Sequence, residues 1–284
     1  MLLKDVLSKS IQFFKDKKIE SYRLDAELLI AHALKMDRIS LYIKYDQPLT
    51  EPEVDICREF IRRRSIGESV AYIIEEKGFF SHVYKVLPGV LVPRPETEHI
   101  VEEVLKFIEK NKIENPTVLD LGAGTGCIGI SILLNYPTAT LVCVDVSEIA
   151  VRNIKLNIEK FNLNDRVTII ESSVENIKWS EHIHFDCIVS NPPYIDKKDP
   201  DIDPFVVKFE PATALFAEDN GLMYLKNWSR LSVQNLKNPG LMVFEMGHLQ
   251  GNTMKDYFSN LNIFSEISIV KDLSDKDRII KGQI

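Results

Sequence analysis

The chain has 284 residues, 45% of them hydrophobic, which is ample for a buried core in at least one of two domains. Its net charge of −7 is uneven: residues 1–77 hold 14 basic and 14 acidic side chains, so the whole excess, 21 basic against 28 acidic, falls on residues 78–284. That balance argues against broad polyanion binding, and no apolar run approaches the roughly 18 residues that a membrane span needs.

The first turns carry Asp5 and show neither the apolar core of a signal peptide nor an Arg-rich transit pattern, so the cytoplasm is the expected compartment. Residues 1–76 read as helices only. Leu2, Leu3, Val6, Leu7, Ile11 and Phe14 keep helical spacing, as do Leu24, Leu28, Leu29, Ala31 and His32. Thr50-Glu51-Pro52-Glu53 is a capping-box pattern that opens a further helix with Val54, Ile56, Cys57, Phe60 and Ile61 on its apolar face. Arg62-Arg63-Arg64 lies toward the end of that helix, where cations suit the dipole, and reads as a solvated last turn rather than a nucleic-acid patch.

Residues 79–84 and 86–92 are β-rich and are expected to form a hairpin joining the two parts. From Pro93 onward, apolar strands at 117–121, 140–144, 167–170, 185–189 and 240–245 alternate with helical segments, which predicts a parallel sheet with helices on both faces. Segments 263–270 and 278–280 read as a closing antiparallel pair. The expected division is a helical domain at 1–76, a β-hairpin linker at 77–92 and an α/β domain at 93–284. Cys57, Cys127, Cys143 and Cys187 have no paired ligand spacing and fall in apolar patterns, so they read as reduced core residues; His82, His99 and His248 are isolated, and no metal is expected.

Two motifs carry chemistry. The first is Gly122-Ala123-Gly124-Thr125-Gly126, which follows the strand Val118-Leu119-Asp120-Leu121 and precedes a helical pattern, so a ligand can approach its backbone closely. Asp145 ends the next strand, 21 residues beyond Gly124, where a carboxylate can accept from both hydroxyls of a ribose; its structural alternative is a helix N-cap, a role Ser147 could fill. An adenosine-containing cofactor is implied. Gly124-x-Gly126-x-x-Gly129 also fits the dinucleotide fingerprint, but the early Gly122 and the second motif favour S-adenosylmethionine.

That second motif is Asn191-Pro192-Pro193-Tyr194, at the exit of the strand 185–189. Two prolines remove two donors and stiffen the turn, so the carbonyls of Asn191 and Pro192 can face a ligand. With the Asn191 side-chain oxygen they offer acceptors for both N–H groups of a planar amine or amide, and Tyr194 offers a ring for its face.

With both motifs placed, the chain resembles the class I methyltransferases that carry Asn-Pro-Pro-Tyr. The stretch Leu91-Val92-Pro93-Arg94-Pro95-Glu96-Thr97-Glu98 is similar to the signature of the HemK-type peptide chain release factor glutamine methyltransferases, as are Phe209-Glu210-Pro211 with Ala214-Leu215, Glu245-Met246-Gly247, and Asp272-Leu273 followed by Arg278. The resemblance covers nearly the whole chain. It implies a Rossmann-like, mostly parallel sheet with an antiparallel C-terminal pair, and a small N-terminal helical domain that helps hold the substrate. It also implies transfer of a methyl group from S-adenosylmethionine to the glutamine of the Gly-Gly-Gln motif in class 1 release factors, with no direct nucleic-acid binding. By the same resemblance the cofactor meets Gly122, Ala123, Gly124, Thr125, Gly126, Asp145, Val174 and Asn191, and the substrate meets Asn191, Pro192, Pro193 and Tyr194, of which Asn191, Pro192 and Tyr194 serve the chemistry. Ser173-Val174 departs from the pattern, since many relatives have an Asp followed by an aromatic residue there, and Ser69 stands where they often have proline.

Glu96, Glu98 and Glu210 could shape the pocket, but a structural role, capping a helix or pairing with Arg94, suits Glu98 and Glu210 better. The competing functions are a methyltransferase acting on an exocyclic amine of a nucleic-acid base, against which the acidic second part argues, and a non-catalytic binding protein, against which the intact motifs argue.

Overall fold

The computed structural model describes residues 1–179 and 182–284, which cluster into two units, Met1–Glu76 and Lys77–Ile284. The first unit is helical: Leu3–Asp16, Tyr22–Ala33, Arg38–Ile43, Glu51–Ser65 and Val70–Ile74. Its apolar stripes meet in two clusters, one around Leu3, Leu7, Ile30, Leu41 and Cys57, the other around Phe14, Ala26, Leu29, Ile61 and Ile73. Each such fully buried aliphatic side chain contributes about 1.5–3 kcal/mol. Thr50 closes the expected capping box, its N–H donating to Glu53 Oε2 at 2.8 Å.

The arginine run differs from the solvated turn read in the sequence. Arg62 does pair at the surface with Glu59, but Arg63 binds Glu68, and Arg64 Nε donates to Asp25 Oδ2 at 2.7 Å. Asp25 is buried on the helix Tyr22–Ala33, and a buried carboxylate requires a partner, which the arginine supplies.

The hairpin also differs. Its strands are β1 (Glu76–Phe79) and β2 (His82–Lys85), and the turn falls on Phe80 and Ser81, both at positive φ, as a two-residue hairpin turn demands. Residues 86–92 form no strand. Asn153 and Asn157, fully buried on the helix Glu148–Lys160, hold the exit of β2 instead: their Oδ1 atoms accept from Leu87 N and Lys85 N at 2.7 Å each, and both Nδ2 groups donate to the Lys85 carbonyl. The satisfied backbone then turns at Gly89, φ +96°.

The remaining strands are β3 (Thr117–Leu121), β4 (Thr140–Asp145), β5 (Val167–Glu171), β6 (Phe185–Ser190), β7 (Leu236–Glu245), β8 (Glu266–Lys271) and β9 (Asp277–Gln283). They form one sheet in the order β5-β4-β3-β6-β7-β9-β8, parallel except for β9, which runs antiparallel between β7 and β8. β7 starts four residues earlier than expected, at Leu236, where an irregularity in register between Phe185 and Cys187 admits the Asn-Pro-Gly stretch. Period-two alternation explains the continuous apolar runs. Val118, Cys143, Cys187, Val189 and Val243 pack on one face beneath the helices Glu98–Asn111, Cys127–Asn135 and Glu148–Lys160; Leu119, Val144, Ile188, Met242 and Phe244 pack on the other beneath Met223–Ser232 and Gly251–Asn260. All four cysteines are buried and free. Among the described residues no helix is long and apolar enough to cross a membrane.

Candidate active site

In this strand order the chain runs outward from β3 in both directions, toward β5 on one side and toward β7 on the other. The carboxyl ends of β3 and β6 therefore flank the switch point at which ligands bind in open α/β sheets. Register then decides which residues meet there. Leu121 pairs with Ser190 and Ser190 with Phe244, so Gly122, Asn191 and Glu245 are the next residues along three adjacent strands.

A cavity of about 330 Å³ opens at this edge. Gly122, Ala123, Gly124, Thr125, Asp145, Val174, Asn191 and Pro193 line it; Gly126 does not, because at φ +78° it caps the helix Cys127–Asn135. Gly122 lies against Trp228: at φ +66°, an added Cβ would meet the Trp228 ring at 2.9 Å. The Trp228 Nε1–H donates to Glu175 Oε1 at 2.8 Å, which fixes the ring there. Asp145 accepts from Gly124 N at 2.8 Å on one oxygen and from Ser147 N at 2.9 Å on the other. Burial pushes its carboxyl above the usual carboxylate range against the pull of those N–H groups. Ser147 itself is the helix N-cap, accepting from Ala150 N, so that alternative role for Asp145 falls to its neighbour.

The lining suits an adenosine-bearing ligand. Val90, Val146, Val174 and Trp228 provide apolar walls, and the Asp145 carboxylate stands at the end of β4 with acceptor capacity beyond its backbone N–H partners. Ser172, Ser173 and Val174 border the cavity, the last two at the positions where the chain departs from the acidic-aromatic pattern of the family it resembles.

A second, smaller cavity of about 80 Å³ lies beside the first, and Leu91, Asn191 and Ala214 border both. Pro192, Tyr194, Arg94 and Val206 complete much of its wall. Glu210 pairs with Arg94, as the sequence favoured, and accepts from Val92 N at 3.1 Å; Glu98 Oε1 accepts from Phe80 N in the hairpin turn at 3.0 Å, a structural bond other than the helix cap or Arg94 pair that was expected.

The Asn-Pro-Pro-Tyr turn is held from several sides. Ser190 Oγ donates to the Leu121 carbonyl at 2.7 Å, and Gln250 Nε2 donates to the Tyr194 carbonyl at 2.9 Å. Asn191 Nδ2 donates to Thr97 Oγ1 at 3.1 Å, Thr97 Oγ1 donates to Glu245 Oε2 at 2.6 Å, and Tyr194 OH donates to Glu245 Oε1 at 2.9 Å. Among the described residues, none donates to the Pro192 carbonyl or to Asn191 Oδ1. Burial raises the Glu245 carboxyl, opposed by the two hydroxyls and by the Arg278 charge. Burial, then the charge of Glu245, pushes the Tyr194 phenol well up, so it stays protonated.

Thr97, Trp228 and Glu175 were given no role from sequence. Thr97 and Glu245 had a signal in the stretches that resemble the family; Trp228 and Glu175 had none, since only the tertiary fold brings them to the cavity. Among the described residues no cluster of His, Cys, Asp and Glu could hold a metal ion.

Comparison with known proteins gives the family. Residues 5–74 match the PrmC N-terminal domain, and residues 102–236 match the methyltransferase small domain. A release factor glutamine methyltransferase of Rhodopirellula baltica is 36% identical over 98% of this chain and 95% of its own length. One of Clostridium botulinum is 34% identical over 100% and 99%. The hMettl16 catalytic domain, solved in complex with a MAT2A 3'UTR hairpin, superposes with a TM-score of 0.56 at 14% identity, covering 70% of this chain and 74% of that one, a likeness of fold alone.

Proposed function

The chain belongs to the release factor glutamine methyltransferases, and on that premise we propose that it transfers a methyl group from S-adenosylmethionine to the side-chain amide nitrogen of the glutamine in the Gly-Gly-Gln motif of class 1 release factors, in the cytoplasm. The observation that carries this reading is that the larger and the smaller cavity share Asn191 as a common wall. Gly122, Ala123, Gly124, Thr125 and Asp145 would hold the ribose and amino-acid parts of the cofactor, and Val174 the adenine. When bound, the cofactor supplies an electrophilic methyl group on a sulfonium.

The rest of the chemistry falls to the acceptor amide and the residues around it. An amide nitrogen is a weak nucleophile because its lone pair is delocalised into the carbonyl. Asn191 Oδ1 and the Pro192 carbonyl accept its two hydrogens, which localises the pair, aims it, and favours the positive charge that grows on nitrogen during attack. Tyr194 packs against the amide plane. After transfer, the methylated nitrogen loses one proton to solvent, so no general base is needed in the turn. The helical unit at 1–76 contributes affinity for the release factor.

Mass spectrometry of a purified class 1 release factor incubated with the protein and isotopically labelled S-adenosylmethionine tests the proposal. One labelled methyl group on the Gly-Gly-Gln glutamine is expected. Methylated duplex DNA beside an unmodified release factor would overturn it in favour of a base methyltransferase.

A further inference from the structure

Asn191 can present either end of its amide to an acceptor, and the two ends select opposite chemistries. An oxygen accepts from an N–H₂ group; an N–H₂ group would donate to a carboxylate or a carbonyl. The choice is made by two buried residues beside the turn: Thr97, which lines the larger cavity and meets Asn191, and Glu245, which lines neither cavity. Thr97 ends the short helical turn Pro95–Thr97 and is 2% exposed; Glu245 ends β7 and is 1% exposed.

We propose that Thr97 and Glu245 are positioning residues that lock the Asn191 amide with its oxygen toward the acceptor, and so set the site's preference for a glutamine amide over a glutamate carboxylate. The argument is a count of protons. The Thr97 hydroxyl has one hydrogen, and Glu245 Oε2 takes it at 2.6 Å. The Thr97 oxygen is then left only as an acceptor, and Asn191 meets it at 3.1 Å. Only the Nδ2 group can donate across that distance; a flipped amide would set two lone-pair oxygens against each other. The other oxygen of the same carboxylate takes the Tyr194 phenol proton at 2.9 Å, so one buried carboxylate fixes both side chains that face the acceptor. Burial raises the Glu245 carboxyl, while the Thr97 and Tyr194 hydroxyls that donate to it and, after them, the Arg278 charge act the other way, toward the form that has no proton to return to Thr97.

The inference rests on the proposed amide acceptor for its kinetic consequence, but not for its geometry, so two measurements are paired. In the ¹⁵N-resolved NMR spectrum, one Asn191 side-chain amide proton is expected to be shifted downfield and protected from exchange in the wild type and in Thr97→Ser, and to lose both features in Thr97→Val. This arm needs no activity, and an Asn191 amide unaffected by Thr97→Val overturns the inference whatever the substrate proves to be. In the kinetic arm, Thr97→Val should lower kcat on release factor by roughly 10–100-fold, somewhat less than the ~10²–10³-fold that outright loss of one transition-state hydrogen bond costs, and by more than it weakens S-adenosylmethionine binding. Thr97→Ser should restore kcat to within about threefold. In an Asn191→Ala background the same Thr97→Val change should cost less than about twofold, because the residue it positions is gone. An equal loss in both backgrounds would mark Thr97 as merely structural and refute the proposal. A wild-type protein that methylates no release factor while the NMR arm holds would instead fault the assigned reaction.

Discussion

Asp120 is fully buried on β3, its Oδ2 accepts from Gly129 N at 3.1 Å, and its Oδ1 has no partner among the described residues. Burial, and secondarily the charge of Asp145, push its carboxyl from 3.8 up to about 7, against the pull of the Gly129 N–H. The sign follows from proton counting. Below pH 3.8 the folded and unfolded chains both hold the proton, and nothing is lost. Between 3.8 and about 7 the unfolded carboxyl ionises while the folded one does not, so stability falls as pH rises, by about 1.4 kcal/mol per pH unit, and levels off above about 7. The amide of an Asp120→Asn variant copies the shape of the protonated acid and does not titrate. The unfolding free energy of the variant minus that of the wild type should therefore rise by about 3 kcal/mol between pH 5 and pH 8, two pH units of this titration. Urea melts followed by the fluorescence of Trp179 and Trp228 at half-unit pH steps would measure it. A difference that stays flat to within about 1 kcal/mol would mean that Asp120 ionises at its ordinary value, and the desolvation argument would be wrong.

Three further outcomes are expected. Asp145→Ala should weaken S-adenosylmethionine binding in calorimetry by about 1.5–3 kcal/mol for each charge-assisted bond lost, and tight binding of a nicotinamide dinucleotide in its place would reverse the cofactor assignment. Gly122→Ala should lower stability by about 1–2 kcal/mol from its positive φ alone and displace Trp228 from the cavity wall; an unchanged melting midpoint with unchanged cofactor affinity would contradict the close approach. Deleting residues 1–76 should raise KM for intact release factor more than it lowers kcat and leave cofactor binding in place, whereas a loss confined to kcat would give the helical unit a part in the chemistry.

The sheet was legible because its strands are apolar on both faces, and such runs bounded by glycine and proline have few other uses. The glycine loop and the Asn-Pro-Pro-Tyr turn were legible because each concentrates unusual backbone demands in a few consecutive residues. What escaped was set at long range. Residues 86–92 have β-rich composition, but two asparagines 66–72 residues away claim the Leu87 N–H and the backbone groups of Lys85 just before it, and composition carries no trace of that. Arg63 and Arg64 looked solvated because their partners, Glu68 and Asp25, are identified only when the helices pack. Trp228 reads as one more apolar position on a helix, and its place over Gly122 depends on which face of the sheet that helix covers.

The bond between Thr97 and Glu245 spans 148 residues, and Asn191 joins it across 94. A ribosome exposing this chain from its N-terminus releases the glycine loop and Asp145 well before β7 has been made. Until Glu245 emerges, Thr97 has no proton acceptor and the turn at Asn191 has no fixed sense. These contacts close long loops, so they cannot form until most of the sheet unit has been made. A chain truncated anywhere before residue 245 would carry the whole glycine loop and Asp145 yet lack both the Glu245 carboxylate that accepts from Thr97 and Tyr194 and the Gln250 amide that holds the Tyr194 carbonyl, so the two halves of the site are separable by length.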